Sequence, residues 1–205
     1  SRIVVTVEDP VECAMEGATQ VQIKPWTGMG WIPALRALMR TDPDVFFISE
    51  LQNAEIISMA VKAALTGHVA IGQFDAADAS ELLQHLATVE GLDHGMLASS
   101  LIAVIAQTLV RKLCDCKRKT DAPSGIGFKD AYEPVGCGKC MQTGYCGHLA
   151  VNDIVLPNRE LKSAIAARDA HLIAALTGNR LREGALSMVE KGETSLMEVS
   201  TIFGC

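Results

Sequence analysis

The 205-residue sequence has no long apolar run, few aromatic residues and no surplus of positive charge. Its longest apolar stretch, residues 96–110, is interrupted by polar residues and is shorter than the roughly 20 residues that a membrane-spanning helix needs. A net charge of −6 argues against a protein whose main task is to wrap nucleic acid, because such proteins carry excess lysine and arginine. The first residues lack the features of a secretory signal, so we expect a cytoplasmic protein.

What the sequence does contain is typical of a globular α/β protein. Apolar residues make up 49% of the chain and charged residues 20%. Short β-branched runs alternate with amphipathic segments that have helical spacing, and this alternation predicts a parallel sheet flanked by helices. The predicted strands are residues 2–8, 42–50 and 68–74, and the predicted helices are 31–40, 53–65 and 80–89, with Asn53 as an N-cap.

The second half of the chain changes in composition. Apolar residues recur every fourth position from Leu97 to Leu109, which predicts one amphipathic helix over residues 96–113. Cysteine, glycine and basic residues without a clear period follow. After them we predict a strand at 148–156 and helices at 160–168, 171–176 and 181–191. The predicted domains are therefore 1–113, 114–147 and a mostly helical 148–205.

Acidic residues follow two of the predicted strands. Glu8, Asp9 and Glu12 lie at the end of the first strand, and Glu50 lies at the end of the second. Ligands of parallel sheets bind at the carboxyl ends of the strands. Glu50 suits a general base that orients water, and the other three suit a magnesium-phosphate shell. The alternative, favoured by composition alone, is that these are solvated turns.

Long ordered segments decide between these readings. VTVEDPVE, ALRALMRTDPDVFFISE, ALTGH, a CxxC followed by TGY, and RLREGALSMVEKGETSLMEV occur in that order. Over essentially its whole length the chain resembles the traffic ATPases of type II secretion and type IV pilus assembly. The resemblance implies a partial RecA-like sheet with an α-helical C-terminal tail. It also implies the C-terminal portion of a hexameric motor that couples ATP binding and hydrolysis to pilin or pseudopilin movement.

The resemblance also implies roles for individual residues. The acidic box matches Glu8, Asp9 and Glu12, near Mg·ATP, and the Walker B strand matches residues 45–50, with Glu50 as the catalytic glutamate. The histidine box begins at His68, for which the alternative is a capped or core histidine.

Two arginines precede the Walker B strand. In the family, Arg36 and Arg40 would couple neighbouring nucleotide sites, whereas the alternative is a solvated helix face. The implied partners are further copies of the chain in a ring and the inner-membrane platform proteins of a secretion or pilus system. The implied location is the cytoplasm, at the inner membrane.

The chain departs from the family pattern at several positions. Where the family has Gly-Glu-Ile-Arg-Asp, this chain has residues 49–53 with Gln52 and Asn53, so two charges are lost. Asp75 replaces the family's second histidine, and a carboxylate is unfavourable near a polyphosphate. The phosphate-binding motif GxxxxGK[ST] is absent. We therefore expect a truncated chain or split gene that does not hydrolyse ATP alone, and a non-hydrolysing relative is the alternative.

Four of the seven cysteines form two close pairs, CDC and CGKC. Cys114, Cys116, Cys137 and Cys140 offer four thiolates, which predicts a structural tetrahedral zinc site. The alternative is a set of reduced cysteines without metal. The first pair is one residue shorter than the family's CxxC, so Cys146 or His148 could replace a ligand.

The segment RKLCDCKRK packs five basic residues around the first cysteine pair. It permits a third hypothesis, that the chain is a zinc-stabilised binding module whose basic residues face nucleic acid, a membrane surface or an acidic partner, and the alternative is a solvated rim. The lack of neighbouring stacking aromatics and the acidic chain argue against nucleic acid as that partner.

Overall fold

The computed structural model describes residues 2–204, so the outermost residues of the predicted domains, Ser1 and Cys205, lie outside the described residues. The chain forms two compact units. Unit 1 comprises the residues up to Ala77, Glu81–Ile102 and Pro157–Leu176. Unit 2 comprises Asp78–Ser80, Ala103–Leu156 and the residues from Thr177 onward. The three-domain division by sequence stays a prediction, and the compact units have different boundaries from it.

Unit 1 is built on a four-stranded parallel sheet in the order β2-β1-β3-β4. The strands are β1 (Val4–Glu8), β2 (Ala18–Gln22), β3 (Val45–Ile48) and β4 (Val69–Gly72). The helices of this unit are α1 (Trp31–Met39), α2 (Ala54–Leu65), most of α3 (Ala79–Thr88), α4 (His94–Ser100), α5 (Arg159–Ala167) and most of α6 (Ala170–Thr177). The predicted α/β class is therefore confirmed.

The core of unit 1 explains why these segments fold as they do. Val7 of β1 and Phe46 and Ile48 of β3 are buried together with Leu35 of α1 and Ile56 of α2. β-branched and aromatic side chains suit the pleated, buried strands, while the apolar stripes of α1 and α2 cover the sheet. The strand ends thus project from a rigid core.

The predicted N-cap of α2 is confirmed. The side-chain oxygen of Asn53 accepts a hydrogen bond from the backbone N–H of Ile56 at 3.1 Å. This bond satisfies one of the helix's unpaired N–H groups and fixes the point at which the chain turns from β3 into α2.

Unit 2 contains two antiparallel strand pairs and two helices. β5 (Val104–Leu113) pairs with β8 (Tyr145–Val155), and β6 (Arg118–Asp121) pairs with β7 (Asp130–Glu133). The helices are α7 (Arg180–Glu190) and α8 (Leu196–Phe203). Val110 and Val151 from the long strands pack with Leu181, Val189 and Val199 from the helices to form its core.

The prediction of one helix over residues 96–113 is wrong. α4 ends at Ser100, and the rest of the segment is strand β5. The four-residue spacing fits a strand as well as a helix, because four is a multiple of the two-residue period of a strand. Ile105 and Leu109 lie on one exposed face of β5, whereas Val104 and Val110 are buried on the other. Pairing with β8 decided the outcome.

The sequence patterns also missed some elements. The segment 121–136 contains β7 and the last residue of β6, and α8 lies beyond the last predicted helix. None of the helices found within residues 2–204 has both the length and the apolar character to span a membrane.

Candidate functional site

The carboxyl ends of β1 and β3 bring Glu8, Asp9 and Glu50 to one edge of the unit 1 sheet. Val7 pairs with Ile48 in the parallel register, so Glu8 and Ser49 follow side by side. The N–H of Ser49 donates to the carbonyl of Val7 at 3.0 Å, and the N–H of Asp9 donates to the Ser49 hydroxyl at 3.2 Å. Glu50 comes next in the chain. The two strand tips therefore share one edge, as the alternation of strands and helices predicts.

Glu8 is the buried member of this group, with 7% of its surface exposed. The Thr6 hydroxyl and the Gln20 amide both donate to its Oε1 atom, the latter at 3.0 Å. Oε2 accepts none of the hydrogen bonds found among residues 2–204. Both hydrogen bonds found for this carboxylate among residues 2–204 are thus made by one of its two oxygens.

Asp9, Glu12 and Glu50 are exposed. Oε2 of Glu50 accepts a hydrogen bond from the Gln52 amide at 2.9 Å. Glu12 lies in the exposed connection between β1 and β2. Gln52 therefore contacts the predicted catalytic glutamate directly.

The segment after β3 packs closely on the end of β4. The N–H of Leu51 donates to the carbonyl of Gln73 at 3.0 Å. A Cβ atom added at Gly72 would come within 2.5 Å of Leu51 Cδ1, so a larger residue there would require the Leu51 side chain to move. Asp75 is exposed, three residues beyond the end of β4.

The structure does not bring His68 together with Glu50. His68 precedes β4, and Val69 pairs with Val45 at the start of β3, so the histidine lies at the amino ends of the strands. Its Nδ1 atom is 2.7 Å from the carbonyl oxygen of Pro43, to which it donates in the Nδ1–H tautomer. This contact is the kind expected of a structural histidine, and the catalytic role of His68 stays a prediction.

The two arginines lie on exposed parts of the first helix. Arg36 forms an ion pair with Glu55 of α2 at 3.3 Å, and both side chains are exposed. Arg40 follows the last residue of α1 and is also exposed. Within the described residues, these exposed positions fit the alternative interpretation of the two arginines as part of a solvated helix face. Their role in coupling nucleotide sites stays a prediction.

In unit 2, the four predicted metal ligands come together. The sulfur atoms of Cys114, Cys116, Cys137 and Cys140 all lie within 4.8 Å of one another. Three of the separations are 3.9 Å (Cys114–Cys137), 3.9 Å (Cys116–Cys140) and 3.7 Å (Cys137–Cys140). A zinc ion bound tetrahedrally by four sulfurs at about 2.3 Å places them about 3.8 Å apart. The cluster therefore has the ligands and spacing of a closed zinc site.

Backbone hydrogen bonds prepare one thiol for a metal. The N–H groups of Cys137 and Gly144 donate to the Cys140 sulfur at 3.1 and 3.3 Å. Desolvation raises the pKa of this thiol, but these N–H groups and the neighbouring thiols bring it down to about 6. Desolvation raises the pKa of the Cys116 thiol to about 11. Because metals bind thiolates, a cation that bound to the cluster would release protons from it.

The short CDC spacing does not prevent the first pair from reaching the cluster. A turn in which the N–H of Lys117 donates to the carbonyl of Cys114 at 3.0 Å directs Cys114 and Cys116 to the same point. Cys146 and His148 are exposed and are not members of the metal-binding group found among residues 2–204.

The basic segment around the first cysteine pair is largely neutralised. Arg118 pairs with Glu133 at 2.9 Å and Lys119 pairs with Asp130 at 2.6 Å. The Lys117 ammonium donates to the carbonyl of Gly192 and lies 5.0 Å from the Tyr132 ring centroid. The cluster of positive charge in the sequence is therefore not a free basic surface.

The C-terminal tail packs on β5 and β8, which flank the cysteine cluster in the sequence. The Arg111 guanidinium donates to Glu198 of α8, with its Nε at 2.8 Å, and lies 4.1 Å from the Tyr145 ring centroid. The Tyr145 hydroxyl is 2.7 Å from that of Ser195, the N-cap of α8. The sequence patterns did not predict these contacts, because the partners are distant along the chain.

Comparisons with known proteins agree with this arrangement. A model of the family described as "Type II/IV secretion system protein" matches residues 1–201. The chain is 35% identical over 210 residues to type II secretion system protein E of Pectobacterium carotovorum subsp. carotovorum, covering 97% of this chain and 42% of that protein. It is 35% identical over 214 residues to the type IV pilus assembly ATPase PilB of Pseudomonas aeruginosa, covering 96% and 38%. It thus spans about two fifths of the length of these relatives.

Solved structures resemble the fold. The pilus retraction motor PilT with bound ADP matches with a TM-score of 0.70 at 20% identity, covering all of this chain and 53% of that one. The ATPase DotB of Legionella pneumophila matches with a TM-score of 0.65 at 18% identity, covering 98% and 51%. At these identities the likeness shows the fold alone.

Proposed function

Because the chain belongs to the type II/IV secretion system protein family, whose matched relatives include secretion and pilus-assembly ATPases, we propose that it is the C-terminal portion of a hexameric motor ATPase. The motor couples ATP binding and hydrolysis to pilin or pseudopilin movement. Its partners are further copies of the chain in a ring and inner-membrane platform proteins. Its location is the cytoplasm, at the inner membrane.

The shared edge of β1 and β3 is the observation that supports this proposal most. Glu50 would orient the attacking water there as a general base, and Glu8 and Asp9, with Glu12 from the following loop, would hold the magnesium ion of Mg·ATP. The printed sequence contains no GxxxxGK[ST] motif. We propose that a part of the protein outside these residues supplies the phosphate loop.

The cysteine cluster has a structural role in this proposal. Zinc would be held by Cys114, Cys116, Cys137 and Cys140, whose sulfur spacing fits a tetrahedral ion. Zinc would tie the segment just after β5, which carries Cys114 and Cys116, to the turn at Gly138–Cys140 and its preceding residue Cys137. A closed four-thiolate site leaves no open position for substrate, so zinc stabilises unit 2 and takes no part in hydrolysis.

A non-hydrolysing relative is the second candidate, and two observations favour it. The Gln52 amide donates to Glu50, and so occupies one oxygen of the proposed base. Asp75 adds a carboxylate where the family has a histidine. In contrast, a zinc-stabilised binding module has little support, since the basic residues that suggested it form ion pairs with acidic neighbours.

ATP turnover by the complete protein tests the motor proposal. Replacing Glu50 with Gln should lower turnover by at least about 100-fold while nucleotide binding is retained, because a general base contributes on that order. Glu90→Gln, at an exposed glutamate of the same unit, is the matched control and should leave turnover unchanged. Equal rates for Glu50→Gln and the wild type would remove Glu50 from the mechanism. Nucleotide binding without turnover in the wild type would favour the non-hydrolysing relative.

A further inference from the structure

We propose that Gln20 is a positioning residue that holds the acidic loop, residues 9–16, and the Glu8 carboxylate in one arrangement. Its importance for nucleotide binding rests on the proposed function. Gln20 lies on the edge strand β2, in register with Thr6 of β1. From there its side chain reaches the strand tip and the loop together.

The Gln20 amide makes three hydrogen bonds. Its Nε2 atom donates to Oε1 of Glu8 at 3.0 Å and to the carbonyl of Cys13 at 2.9 Å. Its Oε1 atom accepts from the N–H of Met15 at 2.7 Å. Both hydrogens and the oxygen are therefore in use, and one side chain joins the buried carboxylate to two points of the loop.

These bonds matter because the acidic loop has little else to order it. Residues 12–16 are all exposed, and the loop contributes no residue to the buried core of unit 1. A loop without buried apolar contacts opens at low free-energy cost unless hydrogen bonds hold it. The Gln20 amide supplies such bonds at both sides of Ala14, which limits the positions open to the neighbouring Glu12.

The same amide also fixes how Glu8 faces the sheet edge. Gln20 and Thr6 both donate to Oε1 of Glu8, which leaves Oε2 as the oxygen without a bond among those found in residues 2–204. A divalent cation prefers carboxylate oxygens that are already oriented, since no ordering cost then remains on binding. Gln20 therefore acts on the complex of metal and nucleotide through Glu8 and the loop, and does not contact that complex itself.

Gln22 offers a matched control. It lies on the same strand two residues along, is exposed, and forms none of the side-chain hydrogen bonds found within residues 2–204. Gln20→Leu removes all three hydrogen bonds. Gln20→Glu retains an acceptor for Met15 but loses both donors and places a second carboxylate against Glu8. Comparing the two separates loop anchoring from the Glu8 contact.

The first measurement is amide hydrogen exchange on this chain. Gln20→Leu should speed exchange at Met15 by about tenfold or more, since hydrogen bonds of this kind contribute enough for that factor, and Gln22→Leu should not. Gln20→Glu should preserve most of the protection at Met15. Equal Met15 exchange in Gln20→Leu and the wild type would overturn the proposal. Unchanged exchange in the β1 and β3 core amides shows that a variant is folded.

The second measurement is binding of Mn²⁺·ADP to the complete protein, followed by electron paramagnetic resonance. Gln20→Leu should weaken Mn²⁺·ADP binding by about tenfold, and Gln20→Glu should weaken it more. Gln22→Leu should have no effect on this binding. A mobile loop with unchanged Mn²⁺·ADP affinity would show a purely structural residue and overturn the positioning role. Wild-type binding without ATP turnover would contradict the motor function alone, while absence of wild-type binding would overturn both proposals.

Discussion

The strand-end carboxylates of unit 1 and the cysteine cluster of unit 2 are held in different ways. Within the cluster, residues 114–140 bring together four cysteine sulfur atoms at the spacing that zinc requires. The carboxylates meet at a sheet edge where Asp9, Glu12 and Glu50 are exposed, and the phosphate-binding motif is absent from the sequence. A small ion can be enclosed by one short segment, whereas a nucleoside triphosphate needs groups from several.

The contacts around the two sites also differ in range. In unit 1, the side-chain hydrogen bonds at the strand ends span two positions for Gln52 to Glu50 and Thr6 to Glu8, 12 for Gln20 to Glu8 and 40 for Asp9 to Ser49. In unit 2, Arg111 bonds Glu198 across 87 positions and Tyr145 bonds Ser195 across 50. Long-range bonds depend on the whole unit being folded. Substitutions in unit 2 should therefore destabilise it more than substitutions at the surface of unit 1 destabilise that unit.

Loss of a cysteine ligand should have the largest effect. If zinc occupies the cluster as proposed, the wild type should contain about one ion per chain. Cys140→Ser removes the thiol that accepts two backbone N–H bonds, so this variant should lack the ion and lose much of the protection of unit 2 amides. Metal analysis and hydrogen exchange measure the two effects. Cys146→Ser, at an exposed cysteine outside the cluster, should retain both. Full zinc content in Cys140→Ser would contradict the four-thiolate site.

The ion pair between Arg111 and Glu198 should come next. Glu198 is only 5% exposed, and Glu198→Gln should lower the free energy of unfolding of unit 2 by about 2 kcal/mol at neutral pH, through weaker hydrogen bonds to Arg111. The hydrogen bond from the Arg111 side chain is the main cause that holds the pKa of Glu198 below 4.5. The stabilisation that the ionised Glu198 carboxylate provides is therefore present above pH 4.5 and is lost as the pH falls through the lowered pKa of this group.

Denaturation of unit 2 at several pH values checks this prediction. The difference between the wild type and Glu198→Gln should shrink steadily below pH 4.5. Glu190→Gln, at an exposed glutamate at the end of α7, should follow the wild type at every pH. A constant difference down to low pH would show that ionisation of Glu198 is not the cause.

Loss of the α2 cap should have a smaller effect, confined to unit 1. Asn53→Ala removes the hydrogen bond from the N–H of Ile56 and should lower the free energy of unfolding of unit 1 by about 1 kcal/mol. Urea unfolding followed by tryptophan fluorescence reports on this unit, because Trp26 and Trp31 both belong to it. Asn53→Asp keeps a capping oxygen, so its free energy of unfolding should stay within a few tenths of a kcal/mol of the wild-type value. An equal cost for both variants would argue that the cap is not responsible.

The exposed pair of Arg36 and Glu55 should have the smallest effect. Arg36→Ala should change the free energy of unfolding of unit 1 by less than about 0.5 kcal/mol, because solvent screens both charges. The same urea titration measures it, with Arg40→Ala as the control. A cost above about 1 kcal/mol would mean that the pair contributes more than a surface ion pair does, and would weaken the contrast between the two units.

Much of unit 1 could be predicted from local sequence. β-branched runs predicted β1 and β3, and Asn53 before an apolar helical pattern predicted the start of α2. Acidic residues after two such strands predicted that Glu8 and Glu50 share an edge, because parallel strands end at the same side of a sheet. The position of His68 could not be inferred in this way, since the residue precedes its strand and so lies at the other edge.

The sequence by itself determined the family, the α/β class of unit 1 and the identity of the four cysteines in the cluster, because each depends on residue types in a local pattern. Only the tertiary structure decided that residues 104–113 form a strand, that the basic segment is neutralised, and that Arg111 and Tyr145 hold α8. These features depend on partners far along the chain. A local pattern carries no information about which distant strand or side chain will complete it.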